Sequence, residues 1–212
     1  MINQGKILMK VCGMREPSNI IEVAKFSPDF MGFIFYNQSP RYVGLNFSIP
    51  ADFPEAIKRV GVFVNQEVSV ILETAKKYQL DFVQLHGGET VNDCNQIKES
   101  GMGVIKVFSV YDSVDFSETL PYQSTVDYFL FDTKGKYYGG NNQIFDWKIL
   151  LNYNQRIPFL LSGGLNADNV SNLSLLSGTN LAGVDLNSGV ETMPRNKDVS
   201  KIKAIRDTLN LI

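Results

Sequence analysis

Histidine is nearly missing from this sequence. His86 is the one histidine in 212 residues, and there are two cysteines, Cys12 and Cys94. That scarcity excludes a usual zinc site, which draws on several Cys and His ligands, and two distant cysteines do not make a disulfide framework. Positive charge is not in surplus either: 20 Lys and Arg stand against 22 Asp and Glu, for a net charge of −2. A nucleic-acid-binding face needs a basic patch, so no nucleic-acid partner is expected. The longest apolar runs extend over about seven residues, well short of a bilayer span. No basic, then apolar, then small-residue leader is visible. These absences lead to the expectation of a reduced, cytoplasmic protein with no membrane partner.

What is present is a rhythm. Short β-branched and aromatic runs recur along the chain: ILMKVC (7–12), FMGFIF (30–35), VGVFVN (60–65), DFVQLH (81–86), VIKVFS (104–109), VDYFLFD (126–132), IPFLLSG (157–163) and LAGVDLN (181–187). Each interval has room for one helix and two loops. QEVSVILETAKKY (66–78) places Val70, Ile71, Thr74, Ala75 and Tyr78 on one helical face. DVSKIKAIRDTLN (198–210) aligns Val199, Ile202, Ile205 and Leu209, and NADNVSNLSLL (166–176) opens on Asn and Asp cap residues. Strand–helix alternation predicts a parallel sheet covered by helices. Eight repeats of roughly 25 residues predict its closure into a single (β/α)8 barrel domain over 1–212, a little short of the usual ~250 residues. An open doubly wound sheet is the alternative, but no Gly-x-Gly-x-x-Gly follows the first strand. Polar residues also alternate onto one face within strands: Lys10 with Cys12, Gln84 with His86, Asp185 with Asn187.

Chemistry in such barrels sits at the C-terminal ends of the strands. That rule selects Cys12, Phe35, Asn65, His86, Phe108, Asp132, Ser162 and Asn187, with the loops behind them. Cys12 reads either as a small buried hydrophobe or as a base or nucleophile, its thiolate favoured by the Lys10 ammonium on the same face. Cys94 reads as structural. Asp132 emerges from a greasy strand, a setting that raises a carboxyl pKa and suits general acid work; a loop or cap carboxylate is the plainer reading. The loop behind it, TKGKYYGGNNQ (133–143), has the length of a lid. LLSGGLNADN (160–169) and DLNSGVE (185–191) each follow a strand with glycines, which let backbone amides approach an anion. They fall after the seventh and eighth runs, where barrels often build phosphate sites. His86 reads as a pocket or core hydrogen-bonding residue, and Arg41, in SPRYVG, as a surface cation or an anchor for a substrate carboxylate.

Taken together, KVCG (10–13), SPRYV (39–43), VQLHG (83–87), FD (131–132), GG and FDW within 139–147, LSGGL (161–165) and VDLNSGVE (184–191) resemble the phosphoribosylanthranilate isomerase family in order and spacing. The resemblance covers nearly the whole chain. It implies an Amadori rearrangement of N-(5-phosphoribosyl)anthranilate in tryptophan biosynthesis, with no metal or organic cofactor and a small phosphorylated substrate as the partner. It further implies Cys12 as general base and Asp132 as general acid. Gly163, Gly164, Ser188 and Gly189 would hold the phosphate. Arg41 and His86 would flank the anthranilate part, and Asp185 would contact the sugar hydroxyls or orient its neighbours. One departure stands out: the family usually carries Gly-Gly-Thr-Gly-Lys in the loop after strand six, where this chain has GGNNQ (139–143). Lys134 or Lys136 could compensate for the lysine that Gln143 replaces. The other readings are a neighbouring phosphate-binding barrel enzyme, and a barrel that binds a phosphorylated ligand without catalysis. Oligomeric state is not legible in the sequence.

Overall fold

A computed structural model of the chain describes residues 6–110, 114–133 and 146–212. Each of the eight apolar runs forms a strand: β1 (Leu8–Val11), β2 (Phe30–Ile34), β3 (Lys58–Phe63), β4 (Phe82–Leu85), β5 (Gly103–Val110), β6 (Tyr128–Thr133), β7 (Phe159–Leu161) and β8 (Leu181–Leu186). They pair in parallel in sequence order, and β1 closes the ring by pairing with β8, with Lys10 opposite Asp185. The lower lumen is filled by Phe30, Val60, Ile105, Val107, Leu130 and Leu160, with Phe82 and Tyr128 packed on them. The rings of Phe30 and Phe82 meet edge to face at 5.3 Å. Each such side chain contributes about 1.5–3 kcal/mol on burial, so the barrel is plugged rather than open. Cys12, Ile34 and Val62 form a smaller cluster near the other end.

The coat around the barrel departs from the regular helix-per-interval expectation. α1 (Pro17–Ala24), α2 (Val68–Tyr78), α3 (Val91–Glu99) and α4 (Val199–Leu209) are the α-helices among the described residues. Residues 35–57 between β2 and β3 contain no helix. Pro40, Pro50 and Pro54 interrupt helical hydrogen bonding there, and Phe47 and Phe53 cover β2 instead, at 5.3 and 6.2 Å from the Phe33 ring. The intervals after β5, β6 and β7 hold 3-10 turns, Phe116–Tyr122, Trp147–Asn152 and Val170–Leu176. The expected helix over 166–176 is therefore a shorter 3-10 segment. Asn166 diverts the backbone, its Oδ1 accepting from the amides of Asp168 and Asn169.

α2 buries Ile71 and Ala75 but leaves Val70 exposed, so its buried stripe is narrower than the sequence pattern suggests. α4 follows the pattern: Ile202, Ile205 and Leu209 are buried, and Asp198 caps it by accepting from the amides of Ser200 and Lys201. A short hairpin of β9 (Glu191–Met193) and β10 (Asn196–Lys197) leads into α4. The register slips between β7 and β8, where Phe159 faces Leu181 but Leu160 faces Gly183. Ala182 packs into the lumen and Val184 on the outer core. The extra residue thus resets the alternation and aims Asp185 inward. No helix among the described residues is long and apolar enough to cross a membrane.

Candidate active site

A cavity opens at the C-terminal ends of the strands, lined by residues at or following the ends of β1, β2, β4, β6, β7 and β8. Cys12 follows β1 directly, and its amide donates to the Leu186 carbonyl at 2.8 Å. Glycine at position 32 of β2 makes room for the thiol: a Cβ there would lie 2.7 Å from Cys12 Sγ. Gly13 behind it has φ +75, and a Cβ would meet Arg41 Cδ at 2.7 Å and Asn187 Oδ1 at 2.8 Å. Only glycine fits both the conformation and the space.

Below Cys12, Lys10 is fully buried and donates to Asp185 Oδ1 at 2.8 Å. Burial pulls the Lys10 ammonium down, but the charges of Asp185 and Cys12 outweigh it and leave its pKa raised. Burial pushes the Cys12 thiol up, and the nearby Lys10 ammonium offsets this only in part. Lys10 does act toward the thiolate, but burial outweighs it. The thiol is desolvated, and Lys10 is shared with the Asp185 carboxylate. Burial likewise raises Asp185, against the pull of Lys10.

Asp132, near the end of β6, is buried and sits with Oδ2 3.4 Å from His86 Nε2. Gln84, also buried, places Nε2 3.3 Å from His86 Nδ1. Across the pocket Arg41 is almost wholly buried, and its expected role as an open carboxylate anchor needs refinement. Its Nε donates to Glu191 Oε1 at 2.9 Å and its Nη2 to Oε2 at 2.6 Å. Glu191 also accepts from Lys197 Nζ at 2.7 Å, and Lys197 in turn donates to Asn187 Oδ1 at 2.8 Å. Burial pulls Lys197 down to about 8 despite Glu191. Burial works against Glu191 ionisation, but its bonds to Arg41 and its attraction to Lys197 hold its pKa below the ordinary value.

The two glycine loops meet beside this network. Gly163 and Gly164 lie at φ +92 and +67. A Cβ on Gly163 would fall 2.0 Å from Thr133 Oγ1, and one on Gly189 2.0 Å from the Leu165 carbonyl. Among the described residues, the amides of Gly163, Gly164, Ser188 and Gly189 donate to no protein acceptor. They are the open donors an anion needs. No α-helix starts directly at either loop: Ser188–Val190 is a single 3-10 turn and Val170–Leu176 begins several residues after Gly164.

Cys12, Asp132, Arg41, His86 and Asp185 all line the one cavity, as do Gly163, Gly164, Ser188 and Gly189. Ser162 and Asn187 join them. Phe35, Asn65 and Phe108 do not. Phe35 stacks on Phe63 at 5.3 Å, Phe108 packs edge-on to Tyr122, and Asn65 Oδ1 accepts from the Gly88 amide. Glu191 and Lys197 were not singled out from the sequence. Glu191 lies within VDLNSGVE, whereas nothing local marks Lys197 in its polar stretch. Of the expected lid over 133–143, Thr133 ends β6, and the rest, with Lys134, Lys136, Asn142 and Gln143, lies outside the described residues. Among the described residues no group of three or more His, Cys, Asp or Glu side chains could hold a metal ion.

Residues 9–208 match the family model for N-(5'-phosphoribosyl)anthranilate (PRA) isomerase. The N-(5'-phosphoribosyl)anthranilate isomerase of Phocaeicola vulgatus is 46% identical over 192 residues, covering 91% of this chain and 92% of that protein. The one from Parabacteroides distasonis is 44% identical over 200 residues, covering 93% and 90%. A crystal structure of phosphoribosyl anthranilate isomerase in complex with reduced 1-(o-carboxyphenylamino)-1-deoxyribulose 5-phosphate superposes with a TM-score of 0.81 at 33% identity, covering 97% of this chain and all of that one. With a closed parallel barrel and a family match over nearly its whole length, the chain belongs to the phosphoribosylanthranilate isomerase family.

Proposed function

We propose that this isomerase of tryptophan biosynthesis rearranges N-(5-phosphoribosyl)anthranilate to 1-(2-carboxyphenylamino)-1-deoxyribulose 5-phosphate, with Asp132 as general acid and Cys12 as general base. The observation that carries the reading is the placement of both side chains on one cavity, at the ends of β1 and β6, with β7 and β8 between them. Asp132 gives its proton to the furanose ring oxygen. The ring C–O bond breaks as the anthranilate nitrogen lone pair forms the C1=N bond. The Cys12 thiolate then takes the C2 proton, and those electrons neutralise the iminium to give the enolamine. Tautomerisation of the C2 enol, with a proton delivered to C1, yields the ketone. A desolvated thiolate of raised pKa is a strong base for carbon, and the ammonium groups of Lys10 and Lys197 stabilise it once formed.

The amides of Gly163, Gly164, Ser188 and Gly189 receive the phosphate. Arg41 and His86 flank the anthranilate, and Asp185 holds Lys10 beneath Cys12 and faces the sugar. The reaction proceeds in one barrel domain, needs no cofactor and takes place in the cytoplasm. A second reading, a barrel that binds the phosphorylated ligand without turnover, is favoured by no specific contact. Turnover of freshly made substrate, followed by its fluorescence, tests the assignment. Cys12→Ala and Asp132→Asn are each expected to lose about 10²–10⁴-fold in kcat or more. A folded Cys12→Ser or Asp132→Asn variant that kept most of the wild-type rate would remove the corresponding role.

A further inference from the structure

Two buried cations, Arg41 and Lys197, share one carboxylate, Glu191. Their side chains are 7%, 0% and 6% exposed, so the cluster holds one positive charge that no buried carboxylate balances. Asp185 is not available to it, being committed to Lys10. An unbalanced buried charge is costly; the Cys12 thiolate offsets it only while ionised, and a bound anion would offset it throughout the cycle. The hydrogen-bond geometry says where that anion docks. Lys197 Nζ has used its three donors, on Glu191 Oε1 and on the carbonyl and side-chain oxygens of Asn187. Arg41 has spent its Nε and Nη2 edge on Glu191, while among the described residues its Nη1 group donates to no protein acceptor. Arg41 also lines the cavity.

We infer that Glu191 is a positioning residue: clamped by Lys197, it orients the Arg41 guanidinium so that its free edge meets the carboxylate on the substrate's aromatic ring. The inference rests on the proposed binding of that ring beside Arg41. It also links the two ends of the pocket, because Lys197 holds Asn187 at the entrance to the Ser188–Gly189 loop. Gly13, directly after Cys12, is wedged between Arg41 and Asn187 and registers the base against the same network. Planar bidentate pairing is specific to guanidinium, so the arrangement fixes direction as well as charge.

The test is calorimetric titration of wild type, Glu191→Gln, Arg41→Ala and the double variant with two ligands. One is the reduced carboxyphenylamino-deoxyribulose 5-phosphate, and the other is the same molecule built on aniline, without the carboxylate. Glu191→Gln is expected to lose about tenfold or more toward the carboxylated ligand and less than about twofold toward the aniline ligand, the size of one charged hydrogen bond. In turnover the loss falls on KM rather than kcat. The double variant should bind the carboxylated ligand no worse than Arg41→Ala alone.

Equal losses for both ligands, or additive losses in the double variant, would reduce Glu191 to a structural role. If Arg41→Ala kept full affinity for the carboxylated ligand, the anthranilate placement itself would fall. If Arg41→Ala discriminated and Glu191→Gln did not, only the positioning role would fall. Should Glu191→Gln fail to fold, Glu191→Gln with Lys197→Met keeps the cluster at one positive charge, and the same comparison applies.

Discussion

Gly32 offers a way to move the Cys12 thiol without touching its chemistry. The residue lies in β2 on the face that carries Phe30 and Ile34, and its φ is not in the left-handed region. Alanine there carries no backbone strain and gains a little strand stability. Its methyl, however, would stand 2.7 Å from Cys12 Sγ and 3.1 Å from Cys12 Cα. To regain an ordinary contact the sulfur must retreat by roughly 0.7–1 Å, a displacement that costs on the order of 100-fold when it separates a base from its proton. Overpacking costs about 1–3 kcal/mol of stability, which a domain with about 5–15 kcal/mol withstands.

The expected outcome for Gly32→Ala is therefore a folded protein with kcat reduced about 100-fold and near-normal affinity for the reduced product analogue. Single-turnover fluorescence reads the first quantity and calorimetry the second. Adding Cys12→Ala should bring the rate to that of Cys12→Ala alone and no lower, since both changes act on one group. A Gly32→Ala variant with kcat within about twofold of wild type would show that the sulfur's position is immaterial, and the Cys12 base would be abandoned.

Two further outcomes concern the buried charges. Glu89 pairs with Lys106 at 2.9 Å and also accepts from the amides of Asn65 and Gly87, which shape the loop after His86. Glu89→Gln should destabilise by about 3–5 kcal/mol in urea unfolding, and Glu89→Gln with Lys106→Met should recover part of it; an unchanged midpoint would contradict the buried pairing. Lys197 titrates near 8 in the fold against an ordinary 10.5, because burial penalises its charge. Between those values the unfolded chain binds more protons, so this group adds stability as pH rises through 8. Wild type should gain about 2 kcal/mol over Lys197→Met between pH 7 and 9.5, and parallel pH–stability curves would refute the shift.

Much of the site was legible because barrels place chemistry at strand ends. Cys12, His86 and Asp132 each close or follow an apolar run, and their common direction is a property of parallel strands. The same rule also picked Phe35, Asn65 and Phe108, which point away from the lumen or into loop packing, because strand phase is not fixed by composition alone. The helix expected over 166–176 failed for a local reason, the Asn166 turn, and the interval after β2 failed because prolines and aromatic plugs substitute for a helix.

The sequence by itself determined the eight strands, their order, the glycine loops after β7 and β8, and the family, since alternation, turn chemistry and motif spacing are carried by neighbouring residues. Tertiary structure alone decided which charges meet. Lys10 finds Asp185 across 175 positions and Arg41 finds Glu191 across 150. Both contacts exist only because β1 closes on β8, and the Lys10 contact also needs the register slip that turns Asp185 inward. That closure buries the thiol as well, so desolvation rather than the adjacent lysine sets the direction of its pKa.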